Sequence, residues 1–439
     1  MDIPDINKPR VIIVGGGFGG IELAKSLGNT DVQVVMLDKH NYHTFQPLLY
    51  QVATSALEAD SIAYPIRKIF DTYPNFYFRM GEVKEVLPDE NKIITSINQI
   101  SYDYLVIATG AQTNYYGNEG LIISAMPMKS IPEALDLRSL ILQNFEKALV
   151  ISNKRKQQSL MNFVIAGGGP TGVELAGALG ELKQNILPKD YPELDLSQMN
   201  IYLIHSRERL LPMLSESSSE KTKKYLEELG VTVVLNTRVL DFHGDYVQTN
   251  QEEDYIAKTL IWTAGVEGAP IDGLNAINKG NRIVVNEFNQ VKGYENIFAI
   301  GDVASMETND THRGHPMVAP VAMQQGKHLA KNISLLLENK NPIPFQYKNK
   351  GSMATIGKNK AVVEIGKTKM SGFSAWMVWM VVHLISLVGF RNKIIATINW
   401  VKNYFSSDRG IRLIITPFVL SKAKRKRRKE FEEDIEKAE

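Results

Sequence analysis

The sequence predicts an α/β protein built from two similar parallel-sheet units, followed by an apolar helical C-terminal region. Three observations carry this. A β-branched run meeting clustered glycines and then a helical pattern occurs at residues 10–27 and again at 163–180. Each copy is followed by further apolar runs that end in small or polar residues. Residues 373–390 then contain no Asp, Glu, Lys or Arg. A repeated strand–turn–helix unit predicts two Rossmann-like, nucleotide-sized domains.

In the first copy Val11–Val14 is the strand, GGGFGG the turn and IELAKSLG the helix; VQVVMLD is the next strand and ends at Asp38. Gly15, Gly17 and Gly20 fit G-x-G-x-x-G. The first glycine permits a tight turn, the second lets backbone approach a pyrophosphate, and the third lets helix pack on strand. The helix N-terminus adds free N–H groups and partial positive charge. Asp38 stands where a carboxylate accepts from ribose hydroxyls. The second copy, FVIAGGGPTGVELAGALG, sets Gly167, Gly169 and Gly172 in the same frame. Its following strand, NIYLIHS, ends at His205, then Ser206 and Arg207, with no acid at that point. A basic, hydroxyl-bearing strand end suits a 2′-phosphate, whereas solvent-facing Ser206 and Arg207 leave NADH bound through backbone; NADH and NADPH both stay open. SYDYLVIATGA, AKTLIWTAGV and NIFAIGDVA complete the strands, PVAMQQGKHLAKNISLLLE reads as a helix, and 345–370 alternates in strand fashion.

Two dinucleotide sites in one chain point to hydride transfer, in which the cofactor rings do the chemistry and no side-chain triad is required. Cysteine is absent, which removes disulfides and thiolate mechanisms, and the 8 scattered histidines lack a zinc spacing. Lys plus Arg total 50 against Asp plus Glu 48, so bulk charge gives no case for nucleic acid. The polar N-terminus lacks a secretory profile, so a cytosolic start is expected.

Together GGGFGG, Asp38, VIATGA, GGGPTGVELAG, WTAGV and NIFAIGDVA resemble the two-dinucleotide-binding-domain flavoproteins, of glutathione-reductase-like architecture, in order over residues 1–340. Within that family, HTFQPLLYQVATSAL (43–57), APVAMQQGKHLAKNI (319–333) and the AWMVWMVVHLISLVGFRNK tail are similar to type II NADH:quinone oxidoreductases. The resemblance implies FAD on Gly15, Gly17, Phe18, Gly19, Gly20, Asp38, Lys39, Val83, Ala108, Thr109, Gly110, Gly301, Asp302 and Ala319. It implies NAD(P)H on Gly167, Gly169, Pro170, Thr171, Gly172, Glu174, His205, Ser206, Arg207, Ala264 and Gly265. It places a menaquinone or ubiquinone near Met323, Gln324 and Gln325, stretch 43–57 beside the flavin ring, and no metal. Pro320 stands where the family's quinone motif has its first Gln, and Ala178 where many relatives carry Glu. The missing cysteines exclude disulfide reductases and sulfide:quinone oxidoreductases.

The expected organisation is an FAD-binding domain from 1–125 and 270–345, an NAD(P)H-binding domain at 126–269, and a membrane-associating domain at 346–439. As one helix, 373–390 would be about 27 Å long, at the low end for a span. A buried core helix or a homodimer surface would also hold such a run. Ile394, Ile398, Val401 and Phe405 form an apolar face opposite Asn392, Asn399 and Asn403, which favours lying on a membrane. Trp376, Trp379, Trp400 and Tyr404 suit the headgroup boundary, and the basic run Lys422–Lys429 an anionic lipid surface, although the acids after it could pair with it instead. The function expected is NAD(P)H:quinone oxidoreduction without proton pumping at the cytoplasmic face of the cell membrane. A flavin reductase of a protein acceptor and a redox-sensing binding protein are the alternatives.

Overall fold

The computed structural model describes residues 3–278, 280–308, 311–312, 314–406 and 411–420. The chain forms two compact units, one from Met1–Thr44, Ala63–Gln112 and Val266–Lys350, the other from Phe45–Ile62, Thr113–Gly265 and Gly351 onward. The basic run expected to meet lipid lies outside the described residues.

The first unit is built on a five-stranded parallel sheet. Its strands lie in the order Ile297–Ala299, Tyr104–Ile107, Arg10–Val14, Gln33–Asp38, Phe76–Met80. Val11 to Val14 are all buried because this strand is covered on both faces, which explains an apolar run without alternation. Val11 and Ile13 pack with Ile21, Leu23, Leu27, Leu329 and Ile333, the residues of helices Phe18–Leu27 and Ala319–Leu337. Ile12 and Val14 pack the other way, against Val86, Ile93, Ile100, Ile283 and Val291. Gly19 and Gly326 let the two helices close: a Cβ on Gly326 would lie 2.5 Å from the Gly19 carbonyl oxygen.

The second unit repeats the plan with a parallel sheet ordered Met126–Pro127, Thr259–Trp262, Phe163–Ala166, Ile201–Ile204, Val231–Val234. Helix Pro170–Asn185 follows its glycine turn, and helix Ile131–Val150 starts at a capping box, Ser130 with Glu133. An antiparallel sheet, Ser352–Thr355, Ala361–Ile365 and Thr368–Ser371, packs on helix Pro170–Asn185, where Gly177 admits the backbone of Ile356.

The end of this unit corrects one expectation. The uncharged run is not a single helix over 373–390. Helix Phe373–Ser386 has 14 residues, the chain turns at Leu387 and at Gly389, whose φ is +89°, and helix Phe390–Ser406 begins. No helix among the described residues is long and apolar enough to cross a membrane. The expected faces of the last helix do occur. Ile398 and Phe405 are 60% and 82% exposed, while Asn392 is buried and Asn403 donates from Nδ2 to the Ala56 carbonyl at 3.0 Å.

Candidate functional site

The two glycine turns have the same construction. Gly15 takes φ +111°, and a Cβ there would meet the Ala108 carbonyl oxygen at 2.3 Å; Gly167 takes φ +116°, with the Thr263 carbonyl oxygen at 2.6 Å. A Cβ on Gly20 would lie 2.0 Å from the Gly15 oxygen, and one on Gly172 would lie 1.9 Å from the Gly167 oxygen. Gly17 and Gly169, the N-caps of the following helices, have nothing within 4 Å of a built Cβ. Closed first and third glycines with an open second one make a cradle that admits a pyrophosphate at a helix N-terminus, so both turns fit a dinucleotide.

The strand ends also correspond. Asp38 Oδ2 accepts from the Gly16 N–H at 2.6 Å, and its Oδ1 from the His40 N–H at 2.7 Å. At the matching place in the second unit, His205 Nδ1 accepts from the Gly168 N–H at 3.1 Å. That bond requires the neutral ring protonated on Nε2, and burial, helped by the Arg207 charge, lowers the His205 pKa accordingly. Ser206 and Arg207 are exposed beside it, as is Lys39 beside Asp38.

The remaining candidates fall around these turns. In the first unit Phe18 meets His43 edge-on at 5.1 Å, Thr109 Oγ1 donates to the Ala269 carbonyl at 2.6 Å, and Gly110 faces open space. Gly301 takes φ +75° and opens the short turn that carries Asp302, Val83 is half-buried on strand Val83–Leu87, and Ala319 begins its helix. In the second unit Pro170 is N1 of the helix, Thr171 is exposed, and Ala264 accepts at its carbonyl from the Tyr116 hydroxyl at 3.2 Å, over Gly265.

Two of the three candidate quinone residues, Gln324 and Gln325, hydrogen-bond backbone. Gln325, 1% exposed, accepts at Oε1 from the Gly301 N–H. Gln324 exchanges two 3.0 Å hydrogen bonds with the backbone of Lys348, while Met323 is exposed.

Glu174, two residues after Gly172 on helix Pro170–Asn185, lines a cavity of about 280 Å³ inside the second unit. Its Oε1 accepts from the Thr355 N–H at 3.4 Å, and the indole N–H of Trp379 is turned toward the carboxyl without closing a bond of ordinary geometry. Burial pushes the Glu174 carboxyl up to about 8, the two donors opposing it. The wall continues with Tyr50, Gln51, Ala178, Trp376, Trp400 and Tyr404. So the aromatics expected at a headgroup boundary line a cavity, and Trp379 is buried. His383 stacks on Trp379 at 4.2 Å, and burial holds its imidazole down at about 4. Of these residues the sequence singled out Glu174 for the nucleotide, Ala178 as a departure from the family, and Trp376, Trp379, Trp400 and Tyr404 for a headgroup boundary, and it did not bring them together. Stretch 43–57 marked the region of Tyr50 and Gln51, but nothing local marks which side chains turn inward.

Residues 9–326 match the pyridine nucleotide-disulphide oxidoreductase family, and residues 349–408 match the NDH2 C-terminal domain. The chain is 34% identical to the type II NADH:quinone oxidoreductase Ndh of Mycobacterium tuberculosis over 93% of its own length and 90% of that protein. The chain belongs to the type II NADH:quinone oxidoreductase family. Among solved structures, NDH2 of Plasmodium falciparum in complex with NADH superposes with a TM-score of 0.85 at 22% identity, covering 92% of this chain and 99% of that one. The sulfide:quinone oxidoreductase of Aquifex aeolicus shares the fold, with a TM-score of 0.71 at 21% identity over 94% of this chain and 97% of that one. A chain without cysteine has no thiolate for sulfur chemistry, so that likeness is one of architecture, and the type II family is where the chain sits.

Proposed function

We propose that the first glycine cradle holds FAD, that the second holds NADH, and that the Glu174 cavity receives the quinone. The activity is NADH:quinone oxidoreduction. The observation that carries the assignment is the duplicated cradle, with open faces at Gly17 and Gly169 and an acceptor atom at each strand end. When bound, the flavin takes hydride from the nicotinamide and returns two electrons to the acceptor.

The chain's own residues bind, orient and hold protons. N–H groups at the helix N-termini receive the two pyrophosphates. Asp38 orients the adenosine ribose of one nucleotide, and His205, Ser206 and Arg207 flank the other. Asp302 and Gly301 present the turn for the ribityl chain. At neutral pH Glu174 keeps its proton, beside an aromatic wall suited to a quinone ring. Gln324 and Gln325 act as structural members of their helix, which moves the acceptor reading from helix Ala319–Leu337 to the cavity.

The exposed apolar stripe of the two last helices rests on a lipid surface, from which a quinone reaches the protein. Phe373, Val381, Ile385, Ile394, Ile398, Val401 and Phe405 point outward together on short helices, the pattern of an interfacial anchor. The cytoplasmic face of the cell membrane is the expected side, and a homodimer remains part of the reading. The reading is tested on purified protein. It should carry one FAD per chain and oxidise NADH with a short-chain ubiquinone or menadione. A protein without flavin, or one that reduces only a protein acceptor, overturns it.

A further inference from the structure

We propose that His43 is a positioning residue of the FAD cradle: its ring N–H holds the Gly16 carbonyl and thereby aims the Gly17 N–H at the cofactor's pyrophosphate. This rests on the reading of the first cradle as the flavin site.

Peptide geometry links the two groups. His43 lies on the short strand Tyr42–Thr44, which pairs antiparallel with Ala63–Pro65, and its ring is buried against the glycine turn. Its Nδ1 is 2.9 Å from the Gly16 carbonyl oxygen. A carbonyl oxygen only accepts, so Nδ1 carries the hydrogen. Burial lowers the pKa of the imidazole, which leaves it neutral with its one hydrogen at that nitrogen. The Gly16–Gly17 peptide is trans, so its C=O and N–H point in opposite directions. A carbonyl drawn to His43 therefore turns the Gly17 N–H away from His43. Among the described residues that N–H has no acceptor, and Gly17 is exposed on the open face of the cradle. Asp38 Oδ2 accepts from the Gly16 N–H at 2.6 Å, so Gly16 is gripped at both of its polar groups.

The second cradle makes the same grip with a different donor. The Gly168 N–H donates to His205 Nδ1, and the Gly168 carbonyl accepts from the Leu211 N–H at 2.8 Å. Both turns thus hold the glycine before the open one at its N–H and at its C=O. In the second cradle main chain supplies the donor to the carbonyl, whereas in the first a side chain does, so only the first loses it by substitution. His43 also meets Phe18 edge-on at 5.1 Å, and the test separates the bulk of the ring from its N–H.

His43→Phe keeps a ring beside Phe18 and removes the donor. His43→Asn drops the ring and offers an amide hydrogen on Nδ2 in the place of Nδ1. The Kd of FAD is read from the fluorescence of flavin released as the holoenzyme is diluted in detergent. His43→Phe should weaken FAD binding about tenfold or more, the worth of a directed hydrogen bond to a charged group, and His43→Asn should stay within about twofold of wild type. The 31P resonances of the bound pyrophosphate should move in His43→Phe and hold their place in His43→Asn. With FAD in excess, both variants should bind NAD+ as the wild type does, which reports an intact fold. A wild-type FAD affinity in His43→Phe, or a loss in His43→Asn as large as in His43→Phe, overturns the clamp. Gly17→Ala separates the two levels. If it weakens FAD binding while His43→Phe does not, the clamp fails and the flavin site stands. If it leaves FAD binding unchanged, the flavin reading of the first cradle fails and the clamp with it.

Discussion

Gly17 and Gly20 sit three positions apart in one turn and should respond differently to the same substitution. A methyl on Gly17 meets no protein atom and projects into the open cradle, whereas one on Gly20 meets the Gly15 carbonyl oxygen at 2.0 Å. Gly17→Ala should fold and weaken FAD binding by about tenfold or more, ~1.4 kcal/mol, measured by flavin release. Gly20→Ala should lose about 3 kcal/mol or more in a denaturant melt of the flavin-free protein, because strand and helix no longer close. At His205 the imidazole does the work that the Asp38 carboxylate does in the first unit. His205→Glu should shift the kcat/KM ratio toward NADH over NADPH; an unchanged ratio would remove the strand end from cofactor selection. Glu174 carries a pH prediction. Its folded pKa, near 8, lies above that of the unfolded chain, so burial of the neutral acid is free of charge penalty at low pH. That advantage is lost progressively as pH rises from the ordinary carboxylate range through 8. Thermal melts of the wild type should lose stability over that interval, and Glu174→Gln should flatten the loss.

The glycine turns, parallel strands and helix starts were legible because local chemistry determines them. A turn closed by a carbonyl 2 Å from a missing Cβ tolerates only glycine, and a strand covered on both faces reads as an unbroken apolar run. Ser130 and Glu133 form a capping box in the same local sense, and Ser130→Ala should cost about 1 kcal/mol in a melt. Residues 373–390 misled because hydropathy counts charges and does not see a backbone break. Gly389 at φ +89° ends what would otherwise be one helix. Gln324 and Gln325 show a different limit of local sequence. A carboxamide on a helix serves backbone or ligand equally well, and only tertiary placement shows that Gly301 and Lys348 take these two. The cavity was illegible because Tyr50, Glu174, Trp379 and Trp400 come from four separate stretches of sequence.

On the scale of the whole molecule, two copies of one nucleotide-binding plan are followed by a C-terminal module that exposes apolar side chains. Asp at Ile398 or Phe405 should lower liposome binding about tenfold or more, since each replaces a side chain worth about 1.5–3 kcal/mol when buried, and co-sedimentation reads the change. The last helix is turned inside out compared with an ordinary surface helix, its asparagines inward and its oily side outward. Plain aqueous buffer offers that side no counterpart. Chains extracted without detergent should therefore clump through it, and micelles should disperse them again.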